Sequence, residues 1–145
     1  LAAKFRPQLI CIAREQIEEG DVVEQLRASL PKTFIFMVSG TLDAPTVSRD
    51  GRNPNCGDQI TMQLQIDSAG TIADVAFSGR GCAISMASAS LLTDELRGKG
   101  LDAVRSLGTP YVMELLGITV GPARIHCALL GLETTQKAIE EHLGR

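Results

Sequence analysis

The sequence predicts an α+β fold: a small antiparallel β-sheet of about three strands, covered on one face by helices. Two observations carry the sheet. In "QITMQLQI", Ile60, Met62, Leu64 and Ile66 alternate strictly with Thr61, Gln63 and Gln65, the period of a strand with one buried face. After the turn-forming "DSAG", Ala73, Val75 and Phe77 alternate with Asp74, Ala76 and Ser78, giving the second arm of a hairpin. A third observation supplies the helices. From residue 83 the apolar period lengthens and glycines punctuate the chain, as in a run of capped helices.

Taken in order, residues 8–30 read as a helix, with Leu9, Ile12, Ala13, Ile17, Val22, Val23 and Leu26 on an imperfect stripe that Gly20 weakens and Pro31 stops. "TFIFMV" at 33–38 is β-branched and aromatic and reads as a short strand. From Gly40 to Pro54 the chain is rich in Gly, Pro, Asp, Asn and Ser and reads as loop, with a short strand near Thr46 to Ser48. The hairpin follows. "AISMASASLLTDELRGKG" then starts on small residues and runs as a helix ended by Gly98, and "LDAVRSLG" and "PYVMELLG" read as two short helices, each stopped by glycine. Gly121 and Pro122 open the last helix, where Ile125, Leu129, Leu132, Ile139 and Leu143 recur at helical spacing and place one face on the sheet.

A length of 145 residues with 44% hydrophobic composition suits one domain, residues 1–145. The formal charge of −3 and the scattered Lys and Arg leave no basic footprint for nucleic acid. No apolar run approaches the ~18 residues of a membrane span. The opening "LAAKFRPQLICIARE" breaks its apolar residues with charge and proline, unlike a secretory signal. A cytoplasmic protein with no membrane association is expected.

Four cysteines, Cys11, Cys56, Cys82 and Cys127, lie far apart, so a disulfide framework explains them poorly. Taken singly, each is most simply a small buried side chain. The surroundings of three of them point to chemistry. Cys56 and Asp58 flank Gly57; in an extended segment residues i and i+2 project to one side, so thiolate and carboxylate can aim at one point. The plainer reading of Asp58 is a turn cap. Cys82 follows "GRG" and precedes a helical pattern, where unpaired backbone N–H groups stabilise a thiolate.

Cys127 follows His126 near the start of the last helix. Neighbouring helical residues point ~100° apart, so one of the two faces a shared site directly, and the cysteine suits it better. His126 then stands beside the ligands, exchanges with one of them, or is a surface histidine; His142 in the last turn needs only the helix dipole. Three thiols and a carboxylate make an S₃O set for zinc or an iron–sulfur cluster. The carboxylate is the hardest of the four donors, hence the one that lets go most readily.

These segments resemble the IscU/SufU/NifU-type family of iron–sulfur cluster assembly proteins. The resemblance rests on "NPNCGDQI", "DVAFSGRGCAISMASASLL" and "GPARIHCALLGLETTQKAI", which stand in the family's order across residues 52–143. It implies a SufE/NifU-like fold with a metal- or cluster-binding core at 52–143. It also implies that Cys56, Asp58, Cys82 and Cys127 bind zinc or a transient [2Fe–2S] cluster and that the three cysteines accept sulfur, the specific acceptor being open. The implied partners are a cysteine desulfurase and apo iron–sulfur proteins or carrier proteins.

"GRGCAISMASAS" and "PARI" are similar to the SufU branch, with Arg124 matching an arginine near the metal; "IHC" is similar to the IscU branch. The "LPPVK" chaperone motif of IscU is replaced by "ITVGPARI", which argues against a dedicated Hsp70 partner. Residues 1–51 depart from the family pattern, and Cys11 in them reads as a core thiol.

The resulting expectation is a scaffold that takes sulfur from a cysteine desulfurase and builds a transient [2Fe–2S] cluster for transfer. Two alternatives stand beside it. One is a zinc-dependent sulfurtransferase relaying persulfide sulfur. The other is a zinc-stapled structural or interaction domain, which unfolds on chelation and leaves desulfurase activity unaffected.

Overall fold

Alternation along the strands decides which side chains face inward, and the buried ones define the sheet's inner surface. A computed structural model describes residues 9–13 and 35–144 of the chain. In chain order these form strands β1 (Leu9–Ala13), β2 (Ile35–Ser39), β3 (Val47–Asn53), β4 (Asp58–Ile66) and β5 (Ile72–Arg80). The helices are α1 (Ala83–Leu96), α2 (Leu101–Arg105), α3 (Thr109–Leu116), a 3₁₀ turn at Pro122–Arg124, and α4 (Ile125–His142).

The main sheet has the order β3-β4-β5 and is antiparallel throughout. In β4, Asp58, Ile60, Met62 and Leu64 are buried on one face while Gln59, Thr61 and Gln63 are partly exposed on the other. Ile72, Val75 and Phe77 of β5 continue the buried face. Helices cover it, and Leu92 and Leu96 of α1, Val104 of α2, Val112 of α3 and Leu132 and Ile139 of α4 complete one hydrophobic cluster with the strands. The α+β reading, with helices over one face of a three-stranded antiparallel sheet, is what the structure shows.

Three expectations need correction. Residues 9–13 are a strand rather than the start of a helix, pairing in parallel with Ile35–Ser39 in the register Leu9↔Ile35 to Ala13↔Ser39. A run of five containing Ile10 and Ile12 satisfies strand preferences once a partner is available, and pairing over distance overrides a weak helical stripe. The rest of the expected helix, residues 14–30, lies outside the described residues.

The second correction concerns 40–54, where the short strand expected near Thr46 to Ser48 is longer: β3 spans Val47–Asn53. It is an edge strand whose inward positions are Val47, Arg49, Gly51 and Asn53, so it lacks the apolar alternation that marks an inner strand. Third, the buried face of α4 is formed by Cys127, Ala128, Leu130, Gly131, Leu132, Thr134, Thr135, Ala138 and Ile139, while Leu143 is exposed. Small and hydroxylated residues, not a leucine stripe, bring this helix close.

That closeness sets the geometry of the thiol-bearing end. A Cβ on Gly131 would lie 3.2 Å from Leu92 Cδ1 and 3.3 Å from Ala89 Cα, so α1 and α4 touch almost backbone to backbone. A Cβ on Gly51 would run into Thr134 Oγ1, which shows how near α4 passes over β3. The Ser85 and Ser88 hydroxyls lie 3.1 and 2.6 Å from the Cys127 and Ala128 carbonyl oxygens. These contacts advance in step along both helices, so α1 and α4 run in the same direction and start at the same end of the molecule. The small residues of "SMASAS" serve this crossing. None of the described helices is long and apolar enough to cross a membrane.

Candidate metal centre

Three separate segments deliver side chains to one end of the sheet. The first is the turn between β3 and β4, residues 54–57, closed by the pair Asn53↔Asp58 and by the Gly57 N–H bonded to the Asn53 carbonyl at 2.9 Å. Gly57 takes φ +71°, a conformation open to glycine at little cost. Cys56 therefore reaches the site from a turn, not from an extended segment in step with Asp58. Asp58 is the first residue of β4 and lies on its buried face, in line with Ile60 and Met62.

The second segment is the start of α1, where Cys82 is the residue just before the helix. Its N–H donates to Asp58 Oδ1 at 3.1 Å, and Ser85 Oγ donates to Asp58 Oδ2. A Cβ on Gly81 would sit 3.1 Å from Asp58 Cγ, a tight contact, so the lack of a side chain at 81 eases the close passage of the "GRGC" loop against the carboxylate. The third segment is the first turn of α4, which buries Cys127 and leaves His126 exposed.

Cys56 Sγ and Cys127 Sγ are 3.4 Å apart. Ligand atoms of Cys56, Asp58 and Cys127 all lie within 4.8 Å of one another. The Cys82 thiol stands just outside this trio, 3.6 Å from Ser85 Oγ, yet close enough to Asp58 and Cys127 to influence the titration of both. Two thiolates on one tetrahedral ion with bonds of about 2.3 Å stand roughly 3.8 Å apart. The observed sulfur spacing needs only a small side-chain adjustment to meet that, so the donors suit a thiophilic ion.

Exposure grades the thiols: Cys56 is exposed, Cys82 half-buried and Cys127 buried. Burial pushes the Cys127 thiol up to about 12, helped by its hydrogen bonds to Cys56 and Cys82 and by their charge. Cys82 goes the other way. Burial would raise it, but the Ser85 and Ile84 N–H groups, the Ser85 hydroxyl and the Cys127 thiol together lower it, as a helix start does for a thiolate. Burial would likewise raise Asp58, yet hydrogen bonds from Ser85, the Cys56 thiol and Cys82 bring it down to about 2. The exposed Arg124 guanidinium bonds the Cys82 side chain, and that contact with the charge of Cys82 and Cys127 holds it above its ordinary value.

His126 is outside the donor group and lines a groove of about 230 Å³ with Arg52, Asn53, Pro54, Asn55, Leu130 and Glu133. His142 is exposed at the far end of α4. Side-chain placement of Cys11 falls outside the described residues. Two polar residues at the site were missed in the sequence. Buried Asn53 donates from Nδ2 to Cys127 Sγ at 3.6 Å and accepts the Asn55 N–H at 3.1 Å. Ser85, with no exposed surface, touches Asp58, Cys82 and the Cys127 carbonyl. The spacing Cys82-x-x-Ser85, one helical turn, is the only hint the sequence offers of the second.

Comparison with known proteins agrees with this architecture. Residues 38–145 match the NifU-like N terminal domain family. The zinc-dependent sulfurtransferase SufU of Bacillus subtilis is 33% identical over 112 residues, 66% of this chain and 76% of that protein. The iron–sulfur cluster assembly scaffold protein IscU of Thermotoga maritima is 33% identical over 118 residues, 70% of this chain and 82% of that protein.

Among solved structures, a SufU from Fervidobacterium islandicum superposes with a TM-score of 0.61 at 25% identity, covering 70% of this chain and 85% of its own. The N-terminal part of a NifU-like protein from Brucella abortus gives 0.59 at 19% identity, covering 72% and 83%, a likeness of fold. The family match spans most of the chain, and the relatives share a third of the aligned residues: the chain belongs to the NifU-like N-terminal domain family.

Proposed function

We propose that this protein is an iron–sulfur cluster assembly scaffold, which accepts sulfur from a cysteine desulfurase and builds a transient [2Fe–2S] cluster on Cys56, Asp58, Cys82 and Cys127 for transfer to apoproteins or carriers. The observation that carries the reading is the meeting of thiol, thiol and carboxylate within 4.8 Å, with Cys82 adjoining, at the common end of two helices and a hairpin. The family relationship to IscU supports it. A reducing cytoplasm, where thiols stay free, suits such a site.

Sulfur enters by exchange. A thiolate of this chain attacks the outer sulfur of the donor's cysteine persulfide; the donor S–S bond breaks, its cysteine leaves as thiolate, and a new S–S bond forms here with no net oxidation. Cys56 is the most open of the three to such an approach. The cluster is cargo, and Asp58, the one oxygen donor, is the ligand that yields when the cargo leaves.

The experiment is anaerobic assembly with desulfurase, cysteine, ferrous iron and a dithiol reductant, which with the iron supplies the electrons that take persulfide sulfur to sulfide, followed by iron and sulfide quantification and a visible spectrum. Stoichiometric iron and sulfide with a charge-transfer spectrum that disappears in Cys82→Ser supports the scaffold. An unchanged spectrum in that variant refutes it.

A second reading, a zinc-dependent sulfurtransferase, is favoured by Arg124 beside Cys82 and by the relationship to SufU. Zinc bound by these donors would keep the thiols as thiolates at neutral pH. The chain's own part is to present Cys56 and to hold Cys82 and Cys127 in place. Firmly held zinc and desulfurase turnover stimulated without cluster formation would decide for this reading.

A further inference from the structure

We propose that Ser85 is a positioning residue that keeps Asp58 the weakest of the four donors by holding one of its carboxylate oxygens in a hydrogen bond. The inference rests on the donor set proposed above. Ser85 lies in the first turn of α1 with no exposed surface. Its hydroxyl oxygen is within bonding reach of Asp58 Oδ2, 3.1 Å from the Cys127 carbonyl oxygen and 3.6 Å from Cys82 Sγ.

A serine has one hydroxyl proton, so it donates to one neighbour at a time. Of the three, the carboxylate is the strongest acceptor. The Cys127 carbonyl stands in the first turn of α4, where the helix's own bond engages it. The other carboxylate oxygen, Oδ1, already accepts the Cys82 N–H at 3.1 Å. Both oxygens of Asp58 are therefore shared with protein donors.

A lone pair engaged by an O–H or N–H has less to give to a cation. The neighbouring sulfur of Cys127 meets the Cys56 sulfur at 3.4 Å and Asn53 Nδ2 at 3.6 Å, longer contacts than the N–H that reaches Asp58 Oδ1. Gly81 keeps the arrangement compact, since a Cβ there would press on Asp58 Cγ at 3.1 Å. The hydroxyl also has somewhere else to go. By turning to the Cys127 carbonyl it frees Oδ2 without losing its own hydrogen bond, so the strength of Asp58 as a ligand is set by a rotation about one serine bond.

Zinc is the probe. Full-length protein loaded with one zinc ion is mixed with a chromophoric chelator and the release rate is read directly, for the parent, Ser85→Ala, Ser85→Thr, Asp58→Ala and Ser85→Ala in the Asp58→Ala background. Cobalt-loaded samples report the donor set through their visible bands. Ser85→Ala is expected to slow release by about tenfold, similar in size but opposite in sign to the loss seen when a partner that orients a ligand is removed, because this hydroxyl competes with the metal for Oδ2. Its cobalt bands stay at the parent's positions, Ser85→Thr restores the parent rate, and the effect vanishes in the Asp58→Ala background.

Release that is unchanged or faster in Ser85→Ala, cobalt bands that show a lost donor, or equal slowing without Asp58 overturns the proposal. If Asp58→Ala alone releases zinc at the parent rate with parent cobalt bands, Asp58 is not a ligand. The proposed donor set then fails, and the role of Ser85 with it.

Discussion

The sulfurs of Cys56 and Cys127, 71 positions apart in the chain, stand 3.4 Å from each other, one on an exposed turn and the other buried in the first turn of α4. The pair joins an accessible nucleophile to a sheltered one, and the difference is measurable. In chelator-treated protein at pH 8, iodoacetamide is expected to label exposed Cys56 before buried Cys127. Cys127, held up near 12 by burial and its thiol neighbours, stays protonated and unmodified, because the thiolate is the reactive form. Peptide mass spectrometry over time checks the order; equal rates at the two sites would contradict the burial described.

Close approach of α1 and α4 predicts a steric penalty at their crossing. Gly131→Val places atoms where Leu92 Cδ1 and Ala89 Cα already stand within 3.2 and 3.3 Å of a bare Cβ. Overpacking of this kind costs about 2 kcal/mol. Urea unfolding gives the loss. Zinc affinity is expected to fall as well, because the same crossing sets Cys82 against Cys127.

Asp58 predicts acid sensitivity of the metal-free protein. Its folded value of about 2 lies below the ordinary 3.8, so the ionised form is favoured by folding. The stabilisation is fully present above pH 3.8 and is lost as pH falls toward 2. Urea midpoints between pH 6 and pH 2 record the decline. Asp58→Asn, which does not titrate, is expected to flatten that part of the curve.

Tyr111 predicts the opposite end. Burial, the hydrogen bond to Glu95 at 3.1 Å and the charges of Glu95 and Glu114 raise its phenol to about 12. The raised value means the protonated form is favoured by folding: its contribution is intact below pH 10 and is lost as pH rises through 12. Tyr111→Phe removes this alkaline dependence and costs about 0.5–1 kcal/mol at neutral pH for the missing hydrogen bond, both readable from urea titrations.

Legibility in the sequence followed the strength of each physical signal. β4 could be read because Ile60, Met62 and Leu64 alternate against glutamine and threonine over a buried face; β5 could be read from Val75 and Phe77, although Ala76 between them is also buried and Ile72, not Ala73, is the inward residue at its start. Cys82 could be placed at a helix start because a small-residue helical run follows it directly. β3 could be read at its start, near Thr46 to Ser48, but not to its end, since an edge strand with Arg49 and Gly51 pointing inward owes its length to pairing with β4, which no local window contains.

The β1 segment was misread for a related reason: its partner lies at Ile35–Ser39. Cys56, Asp58, Cys82 and Cys127 stood out by residue type and surroundings. Asn53 and Ser85 did not, because a buried amide or hydroxyl declares itself only once its neighbours in space are known.

The hairpin tip formed by residues 54–57 has a mechanical consequence. It joins the sheet through the last rung at Asn53↔Asp58, while Ile60, Met62 and Leu64 anchor the strand behind it. Two sulfurs stand at the starts of packed helices and the remaining one stands on this turn, outside the hydrophobic interior. Substitutions within residues 54–57 therefore shift the Cys56 thiol relative to the other two without touching the packing that holds the body of the protein.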